Sequence, residues 1–233
     1  MIHRVGHLYP SGGINDLEPQ RMAPPEVELL VTRMPFRDTS HSSDRAIADD
    51  LEGNVSLLAD AKVELIAFNC TAAGLILGPE NLRKRILQAT GLPCVITIEA
   101  VLAALAAFGA RRIALFTPYQ DEVVAAEIAY LHDRGYAVVA QSHRPCVDPL
   151  SQGSIPSGDW LRIASDTDLN GAEAILFSCA GIRIGETIGQ IEAATGLPVV
   201  ASNSALIWQI CQRLGVTPPD TRFGKLMALR ETV

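Results

Sequence analysis

The chain has 233 residues, 48% of them hydrophobic and 19% charged, enough apolar material for one large core or two smaller ones and too much for a disordered chain. Acidic residues outnumber basic ones 26 to 19, giving a net charge of −7, and no basic run interrupts that balance, which argues against nucleic acid as a partner. No stretch approaches the roughly 18 uninterrupted apolar residues of a membrane span, and "MIHRVGHLYPSGG" at the start lacks the apolar segment of an export signal, so a cytoplasmic protein is expected.

Short apolar runs predict buried strands at "HRVGHLY" near the start, then at 27–34, 63–69, 111–118, 136–142, 173–179 and 197–202. Between them the apolar spacing predicts helices over 44–61, 81–90, 98–109, 120–135 and 203–215. Within "SHSSDRAIADDLE" the acids read most simply as a solvated helix face. Strands alternating with helices predict an α/β protein with parallel sheets covered on both faces.

An internal echo divides the chain. "LIAFNCTAAG" is followed by "QATGLPCVITIEAVLAALAAFG", and "AILFSCAGIR" by "AATGLPVVASNSALIWQICQRLG", so each half reads strand, cysteine, short turn, helix, "ATGLP", strand, helix. Cys70 precedes its "ATGLP" by 19 residues and Cys179 precedes its own by 15. Two pseudo-symmetric lobes are therefore expected, the first over 1–97 and completed by 203–233, the second over 98–202; if they face each other, the two thiols face each other across a cleft.

In open parallel sheets ligands bind beyond the carboxyl ends of the strands, near helix N-termini. Both cysteines are predicted there, where amide N–H groups and the helix dipole would lower a thiol's pKa. Two such groups facing one carbon could invert a stereocentre, one removing a proton while the other delivers one. Alternatively, one could add to an alkene while the other protonates the adjacent carbon, allowing rotation before elimination. Either route needs donors for developing negative charge; the candidates are Ser11 in "YPSGG", next to Pro10 as a substrate-binding residue, the amides of Thr71 and Ala72, Tyr119 in "TPYQDE", and the amides of Ala180 and Gly181. A small-acid binding module, with both cysteines as mere lining, is the non-enzymatic alternative.

Of the other cysteines, Cys94, Cys146 and Cys211 read as structural, and the five together show no metal or redox spacing. His3 and His7 share a strand face but lack a third ligand at a diagnostic spacing, so no metal is expected. Neither a Walker loop nor GxGxxG occurs, so no nucleotide cofactor is expected.

The ordered set "YPSGG", "FNCTAAG", "ATGLPC", "FTPYQDEV", "FSCAGI" and "TGLPVVASNSALIW" resembles the Asp/Glu racemase superfamily, in particular its arylmalonate decarboxylase and maleate cis-trans isomerase branch. The resemblance implies two pseudo-symmetric Rossmann-like lobes with an active-site cleft between them and cofactor-independent chemistry on a small anionic carboxylate, with Cys70 and Cys179 catalytic, Tyr119 holding a substrate carboxylate, and Thr71 and the Ala180 amide contacting an oxyanion. Arylmalonate decarboxylases look different at one point, keeping the second cysteine but carrying glycine at the first. The paired thiols favour an isomerase or racemase, maleate isomerase-like or Asp/Glu racemase-like, with decarboxylation through Cys179 as the alternative. Two departures concern substrate grip: "YPSGG" lacks the asparagine of the isomerases' "PSSN", and "CVDPLSQGSIPSG", before the second cysteine, shows no clear counterpart of the isomerases' other asparagine, for which Asp148 or Gln152 could substitute. A homo-oligomer is compatible with the resemblance.

Overall fold

The computed structural model describes residues 1–218 and 221–230. The first half runs β1 (His3–Pro10), α1 (Leu17–Met22), β2 (Val27–Met34), α2 (His41–Ala46), α3 (Leu51–Asp60), β3 (Leu65–Phe68), α4 (Thr71–Leu77), α5 (Pro79–Thr90), β4 (Cys94–Ile96) and α6 (Thr97–Ala107). The second runs β5 (Arg112–Thr117), α7 (Asp121–His132), β6 (Ala137–His143), α8 (Pro149–Ser154), α9 (Ser157–Asp166), β7 (Ala174–Phe177), α10 (Ile188–Thr195), β8 (Val199–Ala201) and α11 (Ser202–Leu214). Residues 219, 220 and 231–233, part of the segment expected to complete the first lobe, lie outside the described residues.

Two four-stranded parallel sheets result, ordered β2-β1-β3-β4 and β6-β5-β7-β8. Equivalent strands occupy equivalent places, so the echo in the sequence is a repeat in space. "LIAF" in β3 and "AILF" in β7 are buried at all four positions because helices cover both faces of a parallel sheet. The edge strands β2 and β6 are mostly half-buried or exposed.

"ATGLP" earns its repetition as a helix stop. Gly91 and Gly196 adopt left-handed φ values of 71° and 75°, and their N–H groups donate to Leu87 and Glu192 carbonyls, closing α5 and α10. The preceding threonines, Thr90 and Thr195, donate to Ile86 and Ile191 one turn back. The proline blocks further helix, and its carbonyl starts the next ladder by accepting from Ile66 or Ile175.

Helices α6 and α11 pack on each other and each touches both β4 and β8, forming the layer between the sheets. This central position explains why every residue of α11 from Ser202 to Cys211 is buried. In the second sheet Phe116 and Phe177 stack at 5.2 Å, with Trp160 edge-on to Phe177 at 6.0 Å.

Two local expectations are corrected. The helix expected over 44–61 is two helices, α2 and α3, broken at Asp49 and Asp50, poor helix formers that are both exposed. Cys179 is not at a helix N-terminus: an irregular segment and a 3-10 turn at Gly185–Thr187 separate it from α10. Cys70 does immediately precede α4, as its N-cap.

Candidate active site

The strand order reverses beside β1 in one sheet and beside β5 in the other, and the carboxyl ends of those strands and of β3 and β7 converge on a cleft of about 400 Å³. Pro10, Cys70, Thr71, Ala72, Tyr119, Cys179, Ala180 and Gly181 all line it. Ser11 does not. Its exposed side chain turns back to the end of β2, where its hydroxyl accepts from the Phe36 N–H at 3.0 Å. Gly13 lines the cleft instead, close enough to Tyr9 that an added Cβ would lie 2.6 Å from the ring.

Cys70 and Cys179 are each 6% exposed. The lowered thiol pKa expected of a helix N-terminus is overturned by this burial, which disfavours a thiolate more than the local N–H groups favour it. Cys70 is pushed well above the ordinary thiol value, opposed only by an N–H from Ala73. Cys179 is pushed up to about 12, against the amides of Gly181 and Ile182 and the Tyr119 hydroxyl. The Gly181 N–H donates to the Cys179 sulfur at 3.2 Å, and the thiol lies 3.6 Å from Gln152 Oε1 as a donor. The Gly181 amide is thus committed to the sulfur, while the first amides of α4, at Thr71 and Ala72, have no intrahelical partner.

Tyr9, the first residue of "YPSGG", also lines the cleft. Tyr9 is fully buried at the end of β1; its hydroxyl accepts from Asn15 N–H at 3.2 Å and donates to the Ala180 carbonyl at 3.4 Å. Gln152 lines the cleft, but Asp148, the other substitute considered for the missing asparagine, does not: it caps α8 by accepting from the Ser151 N–H at 2.8 Å. Asp44 corrects another expectation. Instead of lying on a solvated face, it is 1% exposed and borders the cleft, because the break after α2 turns that helix inward onto α4.

Behind the cysteines runs a buried polar network joining the halves. Asn69 donates to Asn203 Oδ1 at 3.0 Å; Asn203 donates in turn to the Ala180 carbonyl at 3.1 Å and to Glu18 at 2.7 Å. Thr71 donates to Ser202 Oγ at 2.8 Å, and that oxygen accepts the Cys179 N–H at 3.1 Å, tying the two cysteine turns to the N-terminus of α11. Asn69 also bonds His7 Nε2 at 3.0 Å, and burial holds His7 neutral, its pKa lowered to about 4. His3 lies apart against Glu64. Among the described residues no group of three or more His, Cys, Asp or Glu is placed to hold a metal.

Comparison with known proteins agrees with this architecture. A maleate isomerase of Pseudomonas putida is 24% identical over 97% of this chain and 98% of its own length. An arylmalonate decarboxylase of Bordetella bronchiseptica is 31% identical over 55% of this chain and 54% of its own. In three dimensions the chain superposes with a TM-score of 0.90 on a mutant of the Nocardia farcinica maleate cis-trans isomerase bearing a covalently bound succinylcysteine intermediate, at 22% identity and covering 97% and 98% of the two chains. The sequence family described as arylmalonate decarboxylase matches residues 8–227, and since that span takes in nearly the whole chain, both cysteines and the cleft between them included, the chain belongs to that family.

Proposed function

We propose that the protein is a cofactor-independent isomerase acting beside the carboxylate of a small acid, with cis-trans isomerisation of a maleate-like diacid as its reaction, Cys70 as nucleophile and Cys179 as acid. The observation that carries this reading is the pair of buried thiols brought to one cleft by equivalent strands of two sheets. In thiolate form Cys70 adds to one alkene carbon, the double-bond pair moves toward the neighbouring carbon and its carboxylate, and the Cys179 thiol delivers its proton there. The former double bond is now single and rotates. Elimination then reverses the steps: Cys179, now a thiolate, recovers a proton, the double bond re-forms, and the carbon–sulfur bond breaks to return Cys70 as thiolate.

The local geometry supports this division of labour. Cys179 holds its S–H toward Gln152, while Cys70 caps α4, whose positive end favours the attacking sulfur. Neutral donors at Thr71, Ala72, Ala180 and Tyr119 surround the position where charge develops. The covalent intermediate named for the Nocardia relative supports a sulfur–carbon bond in the reaction. Racemisation beside a carboxylate would use the same pair as base and acid. Decarboxylation is the second reading, favoured by the family description and needing only Cys179, as proton donor to an enediolate. No helix among the described residues is long and apolar enough to cross a membrane, and five free thiols fit the reducing cytoplasm that the proposal assumes.

The test is to incubate the protein with maleate, an amino-acid diacid and an arylmalonate in D2O and follow products and deuterium by NMR, comparing wild type with Cys70→Ser and Cys179→Ser. Conversion of maleate to fumarate that both substitutions abolish is expected. Turnover unchanged in both variants refutes the two-thiol mechanism, and loss only in Cys179→Ser favours decarboxylation.

A further inference from the structure

One ionisable side chain in the cleft is not used by the reaction above. Asp44 lines the same cavity as Cys70, Tyr119 and Cys179, and its Oδ1 is buried with no hydrogen-bond partner. No described cation forms an ion pair with it. A buried carboxylate without a counter-charge is costly, so such a group is kept neutral or is matched by what binds beside it.

The surroundings favour the neutral form. Asp38, before α2, and Glu122, at the start of α7, add negative charge nearby, while Cys70, Cys179 and Tyr119 lie within reach of Asp44's own field. On its own helix His41 is half-buried at the N-terminus and Arg45 is exposed; Arg85 of α5 is committed to Glu52. Burial first and these acids second raise the Asp44 carboxyl to about 8. At neutral pH it therefore keeps its proton, and a protonated carboxyl can donate one O–H bond. Among the described residues that line the cleft there is no Lys, Arg or His, so an anion bound there meets neutral donors from them.

We propose that Asp44 is the specificity-determining residue of the cleft: as a carboxylic acid it donates a hydrogen bond to an acceptor oxygen of the bound substrate, selecting acids with a second carboxylate or carbonyl. This rests on the cleft being the catalytic site for a small carboxylic acid. Ionised, the same group meets the second carboxylate with like charge and rejects it. An ammonium group would have the opposite effect, binding the ionised form, which makes amino acids the competing class.

The test is calorimetric titration of wild type and Asp44→Asn with succinate, a saturated diacid that cannot isomerise, and with butyrate, from pH 6.5 to 9. At pH 7 succinate should bind wild type at least tenfold more tightly than butyrate. Succinate affinity should fall about tenfold per pH unit above about 8 in wild type and stay level in Asp44→Asn, whose amide donates without ionising. The wild-type slope is read independently of the variant. A flat wild-type profile, an unchanged slope in Asp44→Asn, equal binding of succinate and butyrate, or no succinate binding at any pH overturns the proposal. So does aspartate binding more tightly as pH rises. Maleate conversion measured alongside separates the two readings: isomerisation with a flat profile overturns only the role of Asp44, and the expected slope without conversion overturns only the isomerase.

Discussion

Replacing Asp44 with asparagine should stabilise the fold at neutral pH, by an amount that grows as pH rises from about 5 toward about 8. The carboxyl titrates at about 8 in the native chain against an ordinary value of 3.8, because burial penalises its charge. Between those values the native state holds a proton that the unfolded chain has released, so stability is greatest below 3.8 and is lost as pH rises toward 8. At pH 7 the penalty spans about three pH units at about 1.4 kcal/mol each, ~4 kcal/mol at most. Asparagine carries no such term but leaves a buried amide short of partners at every pH, a cost of about 1–3 kcal/mol. Urea unfolding of both proteins at pH 5, 7 and 8 should therefore show the asparagine variant gaining on wild type by roughly 2–4 kcal/mol across the series. Glu127, whose Oε2 is also buried without a partner and whose carboxyl rises to about 7, gives both proteins a further slope that cancels in the difference. Stability curves that run parallel from pH 5 to 8 would refute the reasoning.

The remaining predictions concern the walls of the cleft and its thiols. Gly13→Ala puts a Cβ 2.8 Å from the Tyr9 hydroxyl, so the ring must leave Asn15 and Ala180; urea melts should show a loss of about 1–3 kcal/mol, and succinate binding should weaken. Asn203→Ala leaves the Ala180 carbonyl, Glu18 and Asn69 each short of a buried partner, and should cost about 3 kcal/mol by the same assay. With both thiols raised by burial, alkylation of Cys70 and Cys179 by iodoacetamide, followed by mass spectrometry, should be slow at pH 7 and accelerate about tenfold per pH unit up to pH 9. A pH-independent rate would mean that one thiol rests as thiolate.

What was legible in the sequence was what is encoded locally. "LIAF" and "AILF" are short apolar runs that only a doubly covered sheet can bury, and "ATGLP" holds its own helix stop in its threonine, glycine and proline. The lining by Cys70, Tyr119 and Cys179 followed from strand ends. Ser11 failed because a side chain's direction within a glycine turn depends on its partner, here Phe36, 25 residues away. Asp44 was misread because its burial depends on where α2 packs, not on its neighbours in sequence. Asn203 is joined to Asn69 across 134 residues, and the only local signal was that each sits next to a repeat landmark, Asn69 before Cys70 and Asn203 just after β8.

The two halves repeat a fold but not an environment, and the difference bears on the chemistry. In the first half Cys70 leads straight into α4, so its sulfur sits at the positive end of a helix and faces a carboxylic acid, Asp44, across a largely apolar space. In the second, the chain after Cys179 takes an irregular path before α10, which frees the Gly181 amide to turn onto the sulfur and brings Gln152 up as an acceptor for the thiol proton. Perfect symmetry would leave two thiols of equal acidity with no preferred direction for proton flow. The irregular turn after Cys179 breaks that equality: its sulfur has the Gly181 and Ile182 amides and the Tyr119 hydroxyl as donors, against one N–H from Ala73 at Cys70, so Cys179 is the more acidic of the two thiols, the sense a proton donor needs. Under the proposed isomerisation, nucleophile and proton donor come from equivalent strand-end cysteines, told apart by whether a helix or an irregular turn follows each.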